Sequence, residues 1–129
     1  KVLGGSSSIN AMVYIRGHRA DYEEWEAAGN SGWGWEDVLG AYKAMEDTEA
    51  GGDAYRGKGG PLFISANRKG LHPLVKDYVA ACESAGLREN ADFNGAEQEG
   101  VGFYQTTTHD GKRWSAGGTC GQSGKWWRT

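Results

Sequence analysis

Apolar residues fall into three stretches with helical spacing, and between them the chain has no period. In "HRADYEEWEAAG", Tyr22, Trp25 and Ala28 stand three apart on one helical face, and Gly29 is placed to end the helix. After the turn cluster "NSGWGW", Trp35, Val38, Leu39, Tyr42 and Met45 trace a second amphipathic helix, with Glu36 and Asp37 in its first turn. The third is the most regular: Leu71, Leu74, Val75, Tyr78, Val79, Cys82 and Ala85 recur at i, i+3, i+4 spacing. Pro73 suits its first turn, Gly86 closes it, and Cys82 lies on the face expected to be core.

Strand signals are shorter. "PLFIS" and "VGFYQTTTH" read as strands, and Asp110-Gly111 reads as a hairpin turn leading into "KRW". "SINAMVYI" is apolar and breaks at Arg16-Gly17. "TEAGGDAYRGKGG" has five glycines and no period, so it is expected to be a mobile loop, and "LRENADFNGAEQEG" is a polar one.

Composition narrows the class. The 129 residues include 22 Gly but only two Pro, which excludes a collagen-like or Pro-rich chain. Six Trp and six Tyr argue against disorder, so the chain reads as ordered but rich in loops. A net charge of −3 with no Lys/Arg block disfavours nucleic acid as a partner, and no apolar run is long enough to span a membrane. Cys82 and Cys120 make neither a disulfide framework nor a zinc site, so no metal is expected and a cytoplasmic location is the default.

The candidate chemistry sits in "KVLGGSSSINAMVYIRG". Gly4 and Gly5 let a ligand approach the backbone, Ser6, Ser7 and Ser8 add hydroxyls and N–H groups suited to a pyrophosphate, and Asn10 can both donate and accept. By itself such a loop is weak evidence, since serine-capped glycine turns are common. Its context is more specific. Lys1-Val2-Leu3-Gly4-Gly5-Ser6-Ser7-Ser8-Ile9-Asn10, followed by Tyr14, Gly17 and Glu23, resembles the first signature of the glucose–methanol–choline (GMC) oxidoreductases. "YIRGHRADYEEWEAAGNSGWGWEDVLGAYKAMED", "RGKGGPLFIS" and "DFNGAEQEGVGFYQTTTHDGKRWSA" continue the resemblance to Ala116, and it leans towards choline dehydrogenase-like alcohol dehydrogenases.

The resemblance implies an α/β protein, mixed α+β within this stretch. Residues 1–60 would form part of a Rossmann-type FAD-binding domain with a helical lid excursion, and 61–116 would begin an antiparallel-sheet substrate domain. Gly4, Gly5, Ser6, Asn10, Ala11, Met12 and Val13 would lie along the FAD, and the reaction would pass a hydride from the CH–OH group of a small-molecule alcohol to the flavin. Some relatives carry at the position of Ile9 a His that links covalently to the flavin, so Ile9 implies non-covalent FAD. The dinucleotide fingerprint is expected upstream and the catalytic His downstream, so no residue here is assigned a catalytic role. His18, His72 and His109 all read as surface residues, and Glu23 and Glu24 as a solvated helix face. This internal stretch by itself should neither hold FAD tightly nor turn over.

A different class, a non-catalytic carbohydrate- or ligand-binding module, would need exposed Trp33, Trp35 and Tyr55 as a stacking platform. A third reading is a family relative that keeps the fold without redox activity. Residues 117–129 depart from the family pattern and are expected to be an out-of-frame or disordered tail. Trp has one codon, so Lys125-Trp126-Trp127-Arg128 can be written AAG-TGG-TGG-CGA, which from its third base reads Val-Val-Ala. The gene's nucleotide sequence tests this, and a closed or unrelated alternative frame would refute it.

Overall fold

The computed structural model describes residues 1–67 and 71–118. Its first helix, α1 (Arg19–Ala27), starts where a side chain can cap it. His18 Nδ1 accepts from the Ala20 N–H at 3.2 Å, and Asp21 accepts from the His18 N–H at 2.8 Å. It ends at Gly29 (φ 98°), whose N–H reaches the Glu26 carbonyl. α2 (Trp35–Met45) packs against it through Tyr22, whose ring centroid lies 5.7 Å from Trp35 and 6.3 Å from Tyr42. The Tyr22 and Tyr42 hydroxyls are 2.9 Å apart; burial first, then the Tyr22 hydroxyl, pushes the Tyr42 phenol up to about 12.

Trp25 shares the helical face of Tyr22 but not its burial. It is 48% exposed, its ring 5.6 Å from that of Tyr22 and 5.7 Å from that of Trp33, centroid to centroid. Trp35 is buried at 8%, and Tyr55 is half-buried with its carbonyl held by Arg16. The trio needed for a stacking platform is therefore not assembled, and only Trp33 is openly exposed.

β2 (Glu46–Thr48) follows α2 directly and pairs in parallel with β3 (Leu62–Ile64), Glu46 opposite Leu62 and Thr48 opposite Ile64. Nothing apolar marks β2, and its residues are fixed by side-chain bonds instead. The glycine-rich crossover between them was expected to be mobile, yet Arg56 and Gly57 at its middle are buried. Asp53 Oδ1 accepts from the Tyr55 and Arg56 N–H groups at 2.7 Å, and Thr48 Oγ1 donates to the Gly51 and Gly57 carbonyls. Gly57 is needed for space, since a Cβ there would overlap the Lys43 carbonyl.

α3 (Pro73–Ser84) begins as its spacing predicts, with Pro73 in its first turn and His72 Nδ1 accepting from the Leu74 N–H at 3.3 Å. Its apolar face is mostly uncovered: Val79 is buried, but Leu74 and Tyr78 are 67% and 65% exposed. Cys82, expected in the core, is half-buried.

The expected strand over 101–109 is broken into pieces. Val101 forms only a lone bridge with Glu89. β4 (Gln105–Thr106) pairs antiparallel with β1 (Val13–Tyr14), and β5 (Thr108–His109) pairs with β6 (Lys112–Arg113). The break falls at Thr107, whose N–H donates to the Met12 carbonyl and whose carbonyl accepts from the Trp114 N–H, so the chain changes partners there. The hairpin turn lies at Asp110-Gly111 as expected, with φ 49° and 71°. Ser65 and Thr106 exchange both backbone bonds, which links β3 to β4. Residues on either side of position 60 are thus joined by the β1–β4 and β2–β3 pairs.

The fold class is α/β with mixed pairing. Buried polar residues (Arg16, Glu46, Thr48, Arg56, Asn94, Gln105) match the buried apolar ones (Tyr14, Tyr22, Trp35, Ile64, Val79, Val101) in number among the described residues. Among the same residues no helix is long and apolar enough to cross a membrane. From residue 119 onward, the expected tail lies outside the described residues.

Candidate functional site

The glycine-serine loop closes into a 3-10 turn over Gly5–Ser8. Both glycines have positive φ, 95° at Gly4 and 54° at Gly5, but they differ in surroundings. A Cβ on Gly4 would meet Ser8 Oγ at 2.6 Å and the Gly117 nitrogen at 3.0 Å. At Gly5 a Cβ would meet nothing within 4 Å, so the backbone there lies open.

The three serines divide in the same way. Ser7 Oγ donates to the Gly4 carbonyl at 2.5 Å, and Ser8 Oγ donates to the Leu3 carbonyl at 2.8 Å. Both hydroxyls hold the loop in shape. Ser6 is exposed, and neither its hydroxyl nor its N–H has a hydrogen-bond acceptor among the described residues.

Asn10 ends the loop in an Asx turn, Oδ1 accepting from the Met12 N–H at 3.1 Å. Met12 takes φ 64°, uncommon for a residue with a side chain, and its carbonyl is fixed by Thr107. Gly5, Ser6, Asn10, Ala11 and Val13 are exposed, while Gly4 and Met12 are half-buried. The candidate residues therefore form one surface strip leading into β1. Val2, Leu3, Ile9 and Ile15 flank it with apolar surface, Ile9 being 79% exposed.

Behind the strip lies a buried charge network that sequence reading missed. Glu46 is fully buried. Its Oε1 accepts from the Tyr14 hydroxyl at 2.6 Å and pairs with the Arg16 guanidinium, and its Oε2 accepts from Arg56 Nε at 3.1 Å and the Gly57 N–H at 2.9 Å. Arg56 Nη1 continues to Asp92, at 2.8 and 2.7 Å, and to Gln105 at 2.6 Å. Asn94 joins the network to β1, accepting from the Arg16 N–H at 2.8 Å and donating to the Tyr14 carbonyl at 3.2 Å.

Burial alone would raise the Glu46 carboxyl. The Gly57 N–H, the Tyr14 hydroxyl and Arg16 outweigh it and hold the group below the usual carboxylate range. Burial, and then the bond to that carboxylate, raises the Tyr14 phenol. The network sets the position and direction of β1, the strand into which the candidate strip runs. No local pattern announced it, since its charged members are far apart in sequence and share no period.

The histidines are accounted for. His18 and His72 are helix caps, while His109 lies 4.2 Å from the Phe63 ring and 5.1 Å from the Trp114 ring, centroid to centroid. Glu23 pairs with Arg19 at 2.6 Å on the exposed face of α1.

The strip fits a flavin dinucleotide in three respects. Gly5 offers open backbone, Ser6 offers unused donors for an anionic oxygen, and the Asn10 amide NH2 has no acceptor among the described residues. Comparison with known proteins points the same way. Over 116 residues the chain is 47% identical to an oxygen-dependent choline dehydrogenase of Brucella anthropi, covering 90% of this chain and 21% of that one. Over 117 residues it is 51% identical to an alcohol dehydrogenase [acceptor] of Pseudomonas putida, again 90% of this chain and 21% of that one. The solved structure of pyridoxine 4-oxidase from Mesorbium loti superimposes with a TM-score of 0.87 at 35% identity, covering 96% of this chain and 25% of that one. The chain thus spans about a fifth of the length of the curated relatives it matches. The GMC oxidoreductase family model matches residues 1–120, taking in the open strip, the buried network and the hairpin alike. By that match and those identities, the chain belongs to the GMC oxidoreductase family.

Proposed function

We propose that this chain lines the flavin and begins the substrate domain of an FAD-dependent oxidoreductase that acts on the CH–OH group of an alcohol. The observation that carries the reading is the open Gly5 backbone beside the uncommitted Ser6. Gly4, Gly5, Ser6, Asn10, Ala11, Met12 and Val13 would hold the cofactor, within an FAD-binding part over 1–60 and a substrate part over 61–116. Bound FAD supplies the acceptor for the hydride that the alcohol carbon gives up.

This chain's own share is binding and orientation. Ser6 donates its N–H and hydroxyl to anionic oxygen, and Asn10 directs its amide NH2 outward while Oδ1 stays in the Asx turn. The proton of the alcohol hydroxyl goes to a His outside this chain, as the resemblance implies. Alcohol as the substrate class is supported by the names of the two enzyme relatives.

The full-length protein tests the reading. It should be yellow, with flavin absorbance, and should reduce a dye when given alcohols, choline among them. A colourless protein refutes the flavin reading. A yellow protein that reduces no dye with any alcohol favours the fold kept without redox activity.

A second expectation concerns attachment. Ile9 presents an aliphatic side chain with no atom able to bond to the flavin ring. Acid precipitation of the full-length protein should release all of the flavin to the supernatant, and flavin retained in the pellet would contradict a non-covalent cofactor.

A further inference from the structure

We propose that Arg113 is a positioning residue for the flavin-facing loop, a role that rests on the flavin reading above. Arg113 ends β6, on the return arm of the hairpin, more than a hundred residues from the loop it touches. Its Nη1 lies 3.2 Å from the Ser7 carbonyl, 2.7 Å from the Asn10 carbonyl and 2.9 Å from Asn10 Oδ1. One guanidinium nitrogen therefore ties both ends of the segment from Ser7 to Asn10.

The consequence for Asn10 is specific. Oδ1 takes bonds from both Arg113 and the Met12 N–H, so the amide is oriented with its NH2 turned away from the hairpin. The same clamp holds the carbonyl of Asn10, two residues before the positive φ of Met12. Without Arg113 the Asx turn would keep only its local bond, and the amide could rotate.

Other contacts make the hairpin a firm base for this clamp. The Ala116 N–H donates to Ser7 Oγ at 2.9 Å, the Trp114 indole donates to the Pro61 carbonyl at 3.1 Å, and the Thr107 N–H donates to the Met12 carbonyl at 2.8 Å. Arg113 has no carboxylate partner among the described residues, and its bonds go to neutral oxygens. Arg113 is exposed, and its charge adds a modest, solvent-screened attraction for an anionic group bound at the loop.

The test uses the full-length protein, stripped of flavin and titrated with FAD, with unfolding of the flavin-free protein measured in parallel. Arg113→Met should weaken FAD binding about tenfold or more, as expected for losing charge-assisted hydrogen bonds. Arg113→Lys, which keeps the charge and donors, should recover most of that loss. Lys112→Met, one residue away on the same strand, should stay within about twofold of wild type, the small effect usual for a surface side chain. Flavin-free Arg113→Met and Arg113→Lys should unfold at the same denaturant concentration.

FAD binding by Arg113→Met at wild-type strength overturns the proposal. So does a Lys variant as weak as the Met variant with an equal fall in flavin-free stability, which would make Arg113 merely structural. A wild-type protein that takes up no FAD fails the flavin reading itself, and this inference falls with it.

Discussion

Glu46→Gln in the full-length protein should lower stability by about 3–5 kcal/mol, the usual cost of stranding a buried charge. The substitution keeps the size of the side chain but removes one of two negative charges. Arg16 and Arg56 are then balanced only by Asp92, whose side chain is 29% exposed. Urea unfolding checks the value, with Glu24→Gln on the solvent face of α1 as a control expected to stay within about 0.5 kcal/mol. Arg16→Met added to Glu46→Gln should recover part of that loss, because Arg56 and Asp92 then remain as a neutral pair and the Gln amide still offers an acceptor to the buried donors. A double variant worse than the sum of its parts would show that the network stabilises by more than charge balance.

The same carboxylate gives a signed dependence on pH. Its folded pKa lies below the ordinary value of 4.5, so its contribution is fully present above pH 4.5 and is lost as pH falls through the lower folded value. Wild type should therefore lose stability more steeply than Glu46→Gln below pH 4.5. Parallel curves would remove Glu46 from the account of acid sensitivity.

Gly5→Val should cost the full-length protein its flavin while leaving it folded. At φ 54° a β-branched residue is strained, which accounts for about 1–3 kcal/mol in any Gly5 variant with a Cβ. Gly5→Ala carries most of that strain with little bulk and should weaken FAD binding about tenfold. Gly5→Val adds bulk in space that the chain itself leaves empty, and should weaken binding about a hundredfold or more. Flavin absorbance per protein after gel filtration reads the difference. Equal losses in the two variants would assign the effect to backbone strain, and full flavin in both would remove Gly5 from the cofactor face.

The three helices were legible because each writes its period into adjacent residues, with Pro73 and Gly86 around α3 and Gly29 ending α1. The His18 cap was not, since imidazole is not among the usual capping side chains. Burial was less legible than helicity. Trp25, Leu74 and Tyr78 occupy apolar faces by spacing, but spacing does not say what covers a face, and here little does. The strand over 101–109 read as continuous because Thr106, Thr107 and Thr108 are alike, while the break at Thr107 depends on Met12 and Trp114.

In the site, the loop was visible as a motif, but its division of labour was not. Ser6, Ser7 and Ser8 are chemically identical, and only the turn geometry commits two of them inward. Arg56 lay in a stretch read as a loop and Arg16 at a break. Their shared partner Glu46 stands beside Asp47 at a helix end, so no one-dimensional pattern could bring the three together.

The hydrogen bond from Arg113 to Asn10 spans 103 residues. On a ribosome adding about 5–20 residues per second, the loop emerges roughly 5–20 s before its clamp exists. During that interval its shape rests on local bonds, the turn's backbone pairs and those of Ser7, Ser8 and Asn10. Slowing translation between Asn10 and Arg113 would therefore lengthen the time the loop spends without its clamp.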